Sequence, residues 1–539
     1  MDLPADSPPR TPPPAYWLTR FFILRLLGIV YAVAFLAAAL QLPALVGAHG
    51  LLPVGSFLDQ VRAYYGSAAA SIWHLPTLFW LGHSNAALLT ASWIGFALAA
   101  ALALGFANGI TMAALWALYL SIVQVGQTWY GYGWESQLLE TGFLAIFLCH
   151  PWDPRPFPRS AAPRPVIWLM VWLIFRIMLG AGLIKLRGDV VWRNLTALYY
   201  QFETQPIPGP FSRWFNFLPR GVLRGGVIFN FAAELGAPCL LFWPGAPRRI
   251  GGGIIILFQC VLILSGNLSF LNYLTIVPAL ACFDDRAWLK LCPFLAGRRD
   301  AALGRARRHR YLDGAAWALA ALVAVLSVQP VLNLISPRQI MNTSFDPFDL
   351  VNTYGAFGSV GRERYDVVFE GTDSLDADPE GVWKPYVYRD LPVALNRRPP
   401  QVAPYQPRLD WQMWFASMSD WQHYPWTLHL VWKLLHNDPG ALSLFAGNPF
   451  PGRPPKYIRA TLYRYSFVPP NPQGLWWKRT AIGEWLPPLS ADNPDLHGLL
   501  KSAGWLDAGG NSRSHPASSS NTARTSAPAS AASVRAAAP

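Results

Sequence analysis

Residues 21–46 read FFILRLLGIVYAVAFLAAALQLPALV, and this run decides the fold class. It holds a single charged residue, Arg25. The runs 166–184 (VIWLMVWLIFRIMLGAGLI) and 313–335 (DGAAWALAALVAVLSVQPVLNLI) also hold one charge each, Arg176 and Asp313. An α-helix needs about 20 mostly apolar residues to cross a hydrocarbon core of about 30 Å. The three runs therefore predict a polytopic integral membrane protein.

The composition supports this class and excludes others. Only 14% of the 539 residues are charged, compared with about 25% in soluble domains. The net charge is +13, but the basic residues collect in loops beside apolar runs, where they set membrane topology. Without a nucleic-acid motif, we expect the bilayer and not a nucleic acid as the partner. The five cysteines form no CxxC pair, so neither a metal site nor a cofactor is expected.

The apolar runs predict about nine membrane spans, at 21–46, 86–105, 109–126, 136–150, 166–184, 227–243, 250–265, 268–283 and 312–335. The loop 284–311 is rich in arginine, and the positive-inside rule places it in the cytoplasm. With nine spans, the N-terminus lies inside as well. Three regions then lie together outside: 129–135, 185–224 and everything after about residue 336.

Four domains follow along the chain. They are a cytoplasmic Pro-rich N-terminus (1–20), a multi-span transmembrane domain (21–336), a soluble extracytoplasmic domain (337–500) and a disordered Ala/Ser/Pro-rich tail (501–539). In the soluble domain, residues 457–467 (YIRATLYRYSF) and 365–370 (YDVVFE) alternate as strands do. Residues 410–418 and 426–436 are typical of helices. The fold class is thus an α-helical polytopic membrane domain followed by a strand-rich α+β domain.

The first candidate cluster is WYGYGWE at 129–135, followed by LLETG at 138–142. Glu135 and Glu140 stand at the start of a short apolar helix, where the helix dipole favours acidic residues. Alternatively, each carboxylate pairs with a base elsewhere in the chain, because ionisable groups at membrane depth usually have partners.

The second cluster, GAGLIKLRGD at 180–189, ends an apolar run at Lys185. This lysine is either an anchor with its ammonium group at the membrane surface, a partner of Glu135 or Glu140, or a base of lowered pKa. The third cluster, 199–208, contains two prolines that fix φ and so predict a rigid loop. The functional-loop candidates are Trp134, Glu135, Glu140, Lys185, Arg187, Asp189, Trp192, Arg193, Glu203, Thr204, Gln205 and Pro206.

These segments resemble a known family. Residues 134–142, 180–193 and 202–206 are similar to signature segments of the lipase maturation factors. The soluble domain resembles the family over NTYGAFG (352–358), RERY (362–365), FEGT (369–372), NRRPP (396–400), APYQPRLDWQ (403–412), GNPF (447–450) and PPKYIR (454–459). The resemblance covers roughly residues 15–490.

The resemblance implies a function. Animal members of the family are multi-pass proteins of the endoplasmic reticulum membrane that assist the folding and assembly of secreted lipases without being lipases. The family supplies no established catalytic residue, and the expected partners are secreted client proteins, lipases among them. A client-facing surface rich in aromatic residues and arginine would use Tyr354, Arg364, Arg397, Arg398, Tyr405, Arg408 and Trp411. The Ala/Arg/Pro-rich composition indicates a bacterial member, which would lie in the inner membrane with its C-terminal domain in the periplasm.

A membrane-embedded enzyme is the alternative function. Gly-x-x-Lys with a following tryptophan distantly resembles the transmembrane part of vitamin K-dependent carboxylases. Lys185 would then be the catalytic base, and Glu135 or Glu140 would orient it. Replacing Lys185 by alanine separates the two functions, because a folded chaperone tolerates the change and a base does not.

Overall fold

The computed structural model describes residues 15–305, 309–374 and 383–506. Most of the predicted cytoplasmic N-terminus and nearly all of the predicted disordered tail lie outside the described residues. Described residues 15–148 contain six α-helices: α1 (Trp17–Val46), α2 (Val54–Tyr65), α3 (Ala68–His74), α4 (Asn85–Leu104), α5 (Gly109–Val125) and α6 (Gly133–Leu148).

The next stretch, up to residue 335, is also helical. It contains α7 (Arg164–Arg187), α8 (Val190–Arg193), α9 (Gln201–Thr204), α10 (Ser212–Asn216), α11 (Arg220–Phe231), α12 (Ala237–Leu240), α13 (Ala246–Ser265), α14 (Leu271–Ala279), α15 (Asp285–Leu291), α16 (Ala296–Gly304), α17 (Arg310–Leu326) and α18 (Val328–Ile335). A π-helical turn, Ala232–Gly236, joins α11 to α12.

Four helices of the described chain are long and apolar enough to cross a membrane: α1, α4, α7 and α13. The pair α17 and α18 adds a fifth span if its 40° bend lies within one crossing. Two shorter apolar helices, Gly109–Val125 and Leu271–Cys282, accompany them. A helical transmembrane domain is thus confirmed, whereas length and composition support four or five spans and not the predicted nine.

The C-terminal part contains an antiparallel sheet of order β2-β1-β3-β4. Its strands are β1 (Arg364–Thr372), β2 (Lys384–Pro385), β3 (Tyr457–Phe467) and β4 (Trp477–Ser490), and its helices are α19 (Arg408–Ala416), α20 (Trp426–Leu435), α21 (Pro439–Leu442) and α22 (Pro494–Ser502). The alternating patterns at 365–370 and 457–467 correctly predicted β1 and β3. The same holds for the helical patterns that became α19 and α20.

The helix ends collect into two groups. At one end, which we call the inner end, Leu18 N donates to Asp285 Oδ1 at 2.9 Å, and Arg25 Nη2 donates to the Gly105 carbonyl at 2.7 Å. At the opposite, outer end, the described residues of the C-terminal part (336–374 and 383–506) cover the helices. His429 Nδ1, for example, lies 2.8 Å from the carbonyl oxygen of Leu51. One continuous hydrophobic core extends from the helices into the C-terminal part.

Candidate functional site

The candidate site is the contact surface between the outer helix ends and residues 336–506, which we call the joint. Most of the sequence motifs singled out above meet there. It contains several buried charged side chains, and charges removed from water need partners of opposite charge and hydrogen bonds to be tolerated.

Glu135, in the first turn of α6, pairs with Arg408, the first residue of α19. Arg408 Nη1 lies 2.9 Å from Glu135 Oε1 and donates to the Trp129 carbonyl at 2.6 Å. The guanidinium carbon lies 3.3 Å from the ring centre of Tyr130, and the Tyr119 hydroxyl donates to the second oxygen of Glu135. Both charged side chains are fully buried. The negative charge of Glu135 is therefore stabilised by an arginine of the C-terminal part as well as by its position at the start of a helix.

Trp134 lies beside this pair and joins the same two parts of the chain. Its indole nitrogen donates to Gln406 Oε1 at 3.1 Å. Its ring stacks on Tyr132, with 4.5 Å between centroids, and meets the edge of Trp411 at 4.9 Å. Trp134 thus contributes packing and one hydrogen bond across the joint.

Glu140 lies at the centre of a second buried network. It forms an ion pair with Arg176 of α7. Its Oε2 accepts hydrogen bonds from the Asn352 backbone at 3.0 Å and from the Tyr354 hydroxyl at 2.7 Å. A side chain on Gly180 of α7 would collide with the Tyr354 carbonyl, so the glycine permits the close approach. The motif that begins at Asn352 therefore serves to satisfy a carboxylate in the helical part.

Lys185, near the end of α7, forms an ion pair with Glu234. Glu234 stands in the π-helical turn and also accepts from Asn230 Nδ2 at 2.8 Å. The ammonium nitrogen of Lys185 lies 5.1 Å from the ring centre of Trp192, and Lys185 is only 4% exposed. π-Helical turns often occur at functional sites, and this one directs a carboxylate at the lysine.

Two interpretations of Lys185 from the sequence are wrong in this structure. The side chain does not reach the membrane surface as an anchor, because it is buried. Nor does it pair with Glu135 or Glu140, since these acids bind Arg408 and Arg176.

The loop after α7 is tied to the C-terminal part by Trp192 and Asp189. The indole nitrogen of Trp192 donates to the Phe357 carbonyl at 2.8 Å. Asp189 accepts two hydrogen bonds from the Arg362 guanidinium at 2.8 and 2.9 Å. These bonds hold the pKa of Asp189 well below its ordinary range, so it is a carboxylate at neutral pH.

Arg187 and Arg193 are exposed and make local contacts. Arg187 Nη1 donates to the Leu334 carbonyl at 2.7 Å and to Gln339 Oε1 at 3.0 Å. Arg193 Nη1 donates to the Gly188 carbonyl at 3.1 Å. Both arginines therefore form hydrogen bonds near the end of α7 and lie outside the buried networks.

Arg364 of β1 binds the loop that contains Glu203, Gln205 and Pro206. Its guanidinium donates to the carbonyls of these three residues at 3.2, 2.6 and 3.1 Å. It also forms a two-pronged ion pair with Asp366, at 2.7 and 2.9 Å. The planar guanidinium can satisfy several acceptors at once, which explains why arginine occupies this position.

Two further bonds hold the same loop. The Thr204 carbonyl accepts from Trp414 Nε1 at 3.0 Å, and Glu203 Oε2 accepts from the Phe467 backbone at 2.7 Å. The rigid loop that the two prolines predicted is thus fixed mainly by tertiary contacts.

The predicted client surface needs correction. Four of its seven residues are buried in the joint: Tyr354, Arg364, Arg408 and Trp411. Arginine and aromatic residues are typical of interfaces between proteins, but here they fill an interface within one chain. Arg397 and Arg398 are exposed, and Tyr405 is half-buried.

Sequence reasoning missed Arg176 and Glu234 as members of the site. Each is an isolated charge in or beside an apolar segment of the sequence, and such a charge usually has a partner. The sequence alone does not identify that partner. Among the residues in the described ranges, no group of three or more His, Cys, Asp or Glu side chains could hold a metal ion.

Asp410, two residues after Arg408, is a buried acid of the joint without an arginine partner. Its Oδ1 accepts from the backbone of Asp390 at 2.7 Å and of Leu391 at 3.1 Å, whereas its Oδ2 has no hydrogen-bond partner among the described residues. Burial and the charge of Asp390 raise the pKa of Asp410 to about 7. The protonated form is therefore stabilised in the folded protein.

We expect acid to stabilise this region. Between about pH 4 and 7 the folded state holds a proton on Asp410 that the unfolded state has lost, so the free energy of unfolding falls as the pH rises. Lowering the pH from 7.5 to 5.5 should therefore raise the free energy of unfolding, because the folded state takes up a proton on the Asp390–Asp410 pair in this range. Thermal unfolding at both pH values measures this pH dependence. In the Asp410→Asn variant, the pH dependence of the free energy of unfolding should be smaller. An unchanged pH dependence in the asparagine variant would contradict the assignment.

The comparisons with known proteins agree with this architecture. Residues 18–290 match the family model for the lipase maturation factor transmembrane domain, and residues 350–487 match that for the lipase maturation factor C-terminal domain. The chain is 45% identical to lipase maturation factor 1 of Bos taurus over 516 residues, covering 91% of this chain and 92% of the relative. It is 44% identical to the Homo sapiens protein of that name (93% of each chain) and 31% identical to lipase maturation factor 2 of Homo sapiens (90% and 85%).

No solved structure matches the chain. The relatives named above are animal proteins, so they do not support the bacterial source indicated by the composition. Two matching domain models and extended identity to these relatives lead to one conclusion: the chain belongs to the lipase maturation factor family.

Proposed function

We propose that this protein is a membrane-bound maturation factor that assists the folding and assembly of secreted lipases. The observation that carries the proposal is its 45% identity to a lipase maturation factor 1 over 91% of the chain. The buried side chains of Glu135, Glu140 and Lys185 are each paired with an opposite charge of the chain, and this structural pairing supports a role as a folding factor. The joint connects the C-terminal part to the outer helix ends through buried ion pairs and hydrogen bonds.

The arrangement of the helix ends supports the nine-span topology as part of this proposal. Each of the nine predicted segments falls on a helix, or on helices in series. Contacts at the inner end join residue 18 to residue 285 and residue 25 to residue 105. Contacts at the outer end join residues 51, 129 and 267 to the C-terminal part. Ends that should share a side of the membrane therefore lie together.

This topology places the C-terminal part in the compartment through which secreted proteins pass. In a eukaryotic source that compartment is the lumen of the endoplasmic reticulum, and in a bacterial source it is the periplasm. The surface available to a client is what the joint leaves exposed, which includes Arg397 and the outer edge of β4 around Ile482. A sheet edge offers unpaired backbone groups to an extended segment of a client.

The test is the activity of a secreted lipase per unit mass of lipase. Host cells that lack their own maturation factor would receive this protein or an empty vector. We expect the protein to raise the specific activity of the lipase severalfold without raising the amount of lipase RNA. Equal specific activity with and without the protein, at a verified membrane level, would contradict the proposal.

A charge-neutral double variant decides between the folding factor and the enzyme. Lys185→Ala alone would leave Glu234 buried without its partner, so loss of activity could reflect misfolding. Lys185→Met with Glu234→Gln removes both charges at similar volume. A folding factor keeps its rescue of lipase activity in this variant at matched membrane level, whereas an enzyme that uses Lys185 as its base loses it.

A further inference from the structure

A cluster of two arginines and three aromatic rings lies outside the buried networks of the joint. Arg213 of α10 and Arg398 both face the indoles of Trp214 and Trp476. The guanidinium carbon of Arg213 is 3.5 Å from the ring centre of Trp476 and 5.3 Å from that of Trp214. The guanidinium carbon of Arg398 is 5.6 and 5.3 Å from the same two centres, and Phe211 lies beside it. Two like charges therefore share one pair of rings.

No carboxylate among the described residues pairs with these two cations. Within the described ranges, neither Arg213 nor Arg398 forms an ion pair with a carboxylate. Arg213 is only 7% exposed, and its Nε has no hydrogen-bond partner among the described residues. Burial and the charge of Arg398 lower the pKa of Arg213. An anion bound here would relieve the repulsion and use the free donor.

The cluster is fixed to the outer end of a membrane span. Ser212, the neighbour of Arg213, donates to the carbonyl of Ser265, the last residue of α13, at 2.7 Å. Asn267, two residues further on, donates to the Pro400 carbonyl at 2.9 Å, which holds the segment of Arg398. Both arginines therefore lie near the C-terminal end of α13, where the proposed topology has this candidate span leave the hydrocarbon core.

The surface around the cluster is also suited to a membrane boundary. Phe211, Trp214 and Phe217 are each about half exposed, at 47%, 45% and 46%. Val222, at the start of α11, continues the exposed apolar surface. Aromatic side chains concentrate at the headgroup level of membranes, and clustered arginines there favour anionic lipids.

We propose that Arg213 and Arg398 bind the phosphate of an anionic phospholipid in the outer leaflet, with Trp214 and Trp476 flanking the headgroup. The lipid supplies the negative charge that the chain lacks at this point. Its acyl chains would lie against the exposed apolar side chains near the start of α11. This site is separate from the proposed client surface, and only its assignment to the outer leaflet rests on the proposed topology.

The test measures lipid binding to the purified full-length protein in detergent. Native mass spectrometry would count bound phosphatidylglycerol and phosphatidylcholine, and thermal unfolding would report stabilisation by each. We expect preferential binding of phosphatidylglycerol, weakened about fivefold by Arg398→Gln. Because Arg398 is exposed, this variant should fold. Arg213→Gln, together with Arg398→Gln, should weaken binding further.

Arg224→Gln is the matched control, since Arg224 is an exposed arginine of the same membrane border and should leave binding unchanged. Inorganic phosphate at millimolar concentration separates a free anion from a lipid: stabilisation by phosphate equal to that by lipid would overturn the lipid assignment. Equal lipid binding by the wild type and Arg398→Gln would also overturn it. In that case, a loss of lipase rescue in Arg398→Gln would assign the cluster to an acidic segment of a client.

Discussion

Replacing Arg408 by methionine should destabilise the whole protein by about 3–5 kcal/mol, because it leaves Glu135 buried without a counter-charge. Methionine preserves much of the side-chain volume, so the lost charge is the main change. The loss also removes the bond to the Trp129 carbonyl. The measurement is the fraction of detergent-extracted protein that stays monodisperse after heating. We expect the midpoint of that transition to fall sharply and lipase rescue to fall with it.

Two variants control this experiment. Arg464 pairs with Glu363 on the surface, where both side chains are 46% exposed, and exposed ion pairs contribute little to stability. Arg464→Met should therefore leave the midpoint almost unchanged. Adding Glu135→Gln to Arg408→Met removes the orphaned charge and should recover part of the loss. Equal midpoints for Arg408→Met and Arg464→Met would show that the joint does not depend on the Glu135 pair.

Replacing Arg364 by methionine should cost a similar amount, about 3–5 kcal/mol. The change leaves the buried carboxylate of Asp366 without its ion-pair partner. It also leaves the carbonyls of Glu203, Gln205 and Pro206 without their hydrogen-bond donor. Arg364→Lys should also be destabilising, since an ammonium group cannot reproduce the planar set of donors. Thermal unfolding and limited proteolysis of the loop around Gln205 measure both variants.

The damage in Arg364→Met should depend on pH. Burial raises the pKa of Asp366 to about 6 even with Arg364 beside it, and loss of the arginine raises it further. The carboxyl can therefore become neutral at pH 5.5, so the variant should be less destabilised there than at pH 7.5. Arg362→Met is the matched control, because Arg362 is 43% exposed and its partner Asp189 is already ionised. A pH-independent loss in Arg364→Met would mean that the carbonyl bonds and not the Asp366 charge dominate.

The long apolar helices could be predicted from the sequence, because a long run of residues with almost no charge is compatible with few structures other than a membrane-spanning helix. Residues 21–46 became part of α1, and the alternating run 457–467 became β3. The number of membrane spans could not be predicted from the sequence in the same way. Segments such as α5 are shorter than a typical span, and whether they cross depends on their neighbours and not on their own composition.

The sequence singled out candidate site residues, but it did not identify which of them pair with each other. For Glu135, Glu140 and Lys185 the sequence left alternatives open: a local role at a helix start or as a membrane anchor, and pairing with a charge elsewhere in the chain. Their partners, however, are chosen by tertiary packing between segments far apart in the chain, such as Glu135 with Arg408. The client surface was misjudged for a related reason. Arg408 and Arg364 have the chemistry of a contact residue, and composition cannot tell a contact with another protein from one within the chain.

The joint also sets an order of events during synthesis. Glu140 can meet Arg176 early, because only 36 residues separate them, but Asn352 follows Glu140 by 212 residues. At about 5–20 residues per second, that gap lasts roughly 10–40 s, and Glu135 waits longer still for Arg408. A chain that stops before residue 408 would leave Glu135 without its arginine for good. Premature stop codons late in the gene should therefore damage the membrane helices made long before them.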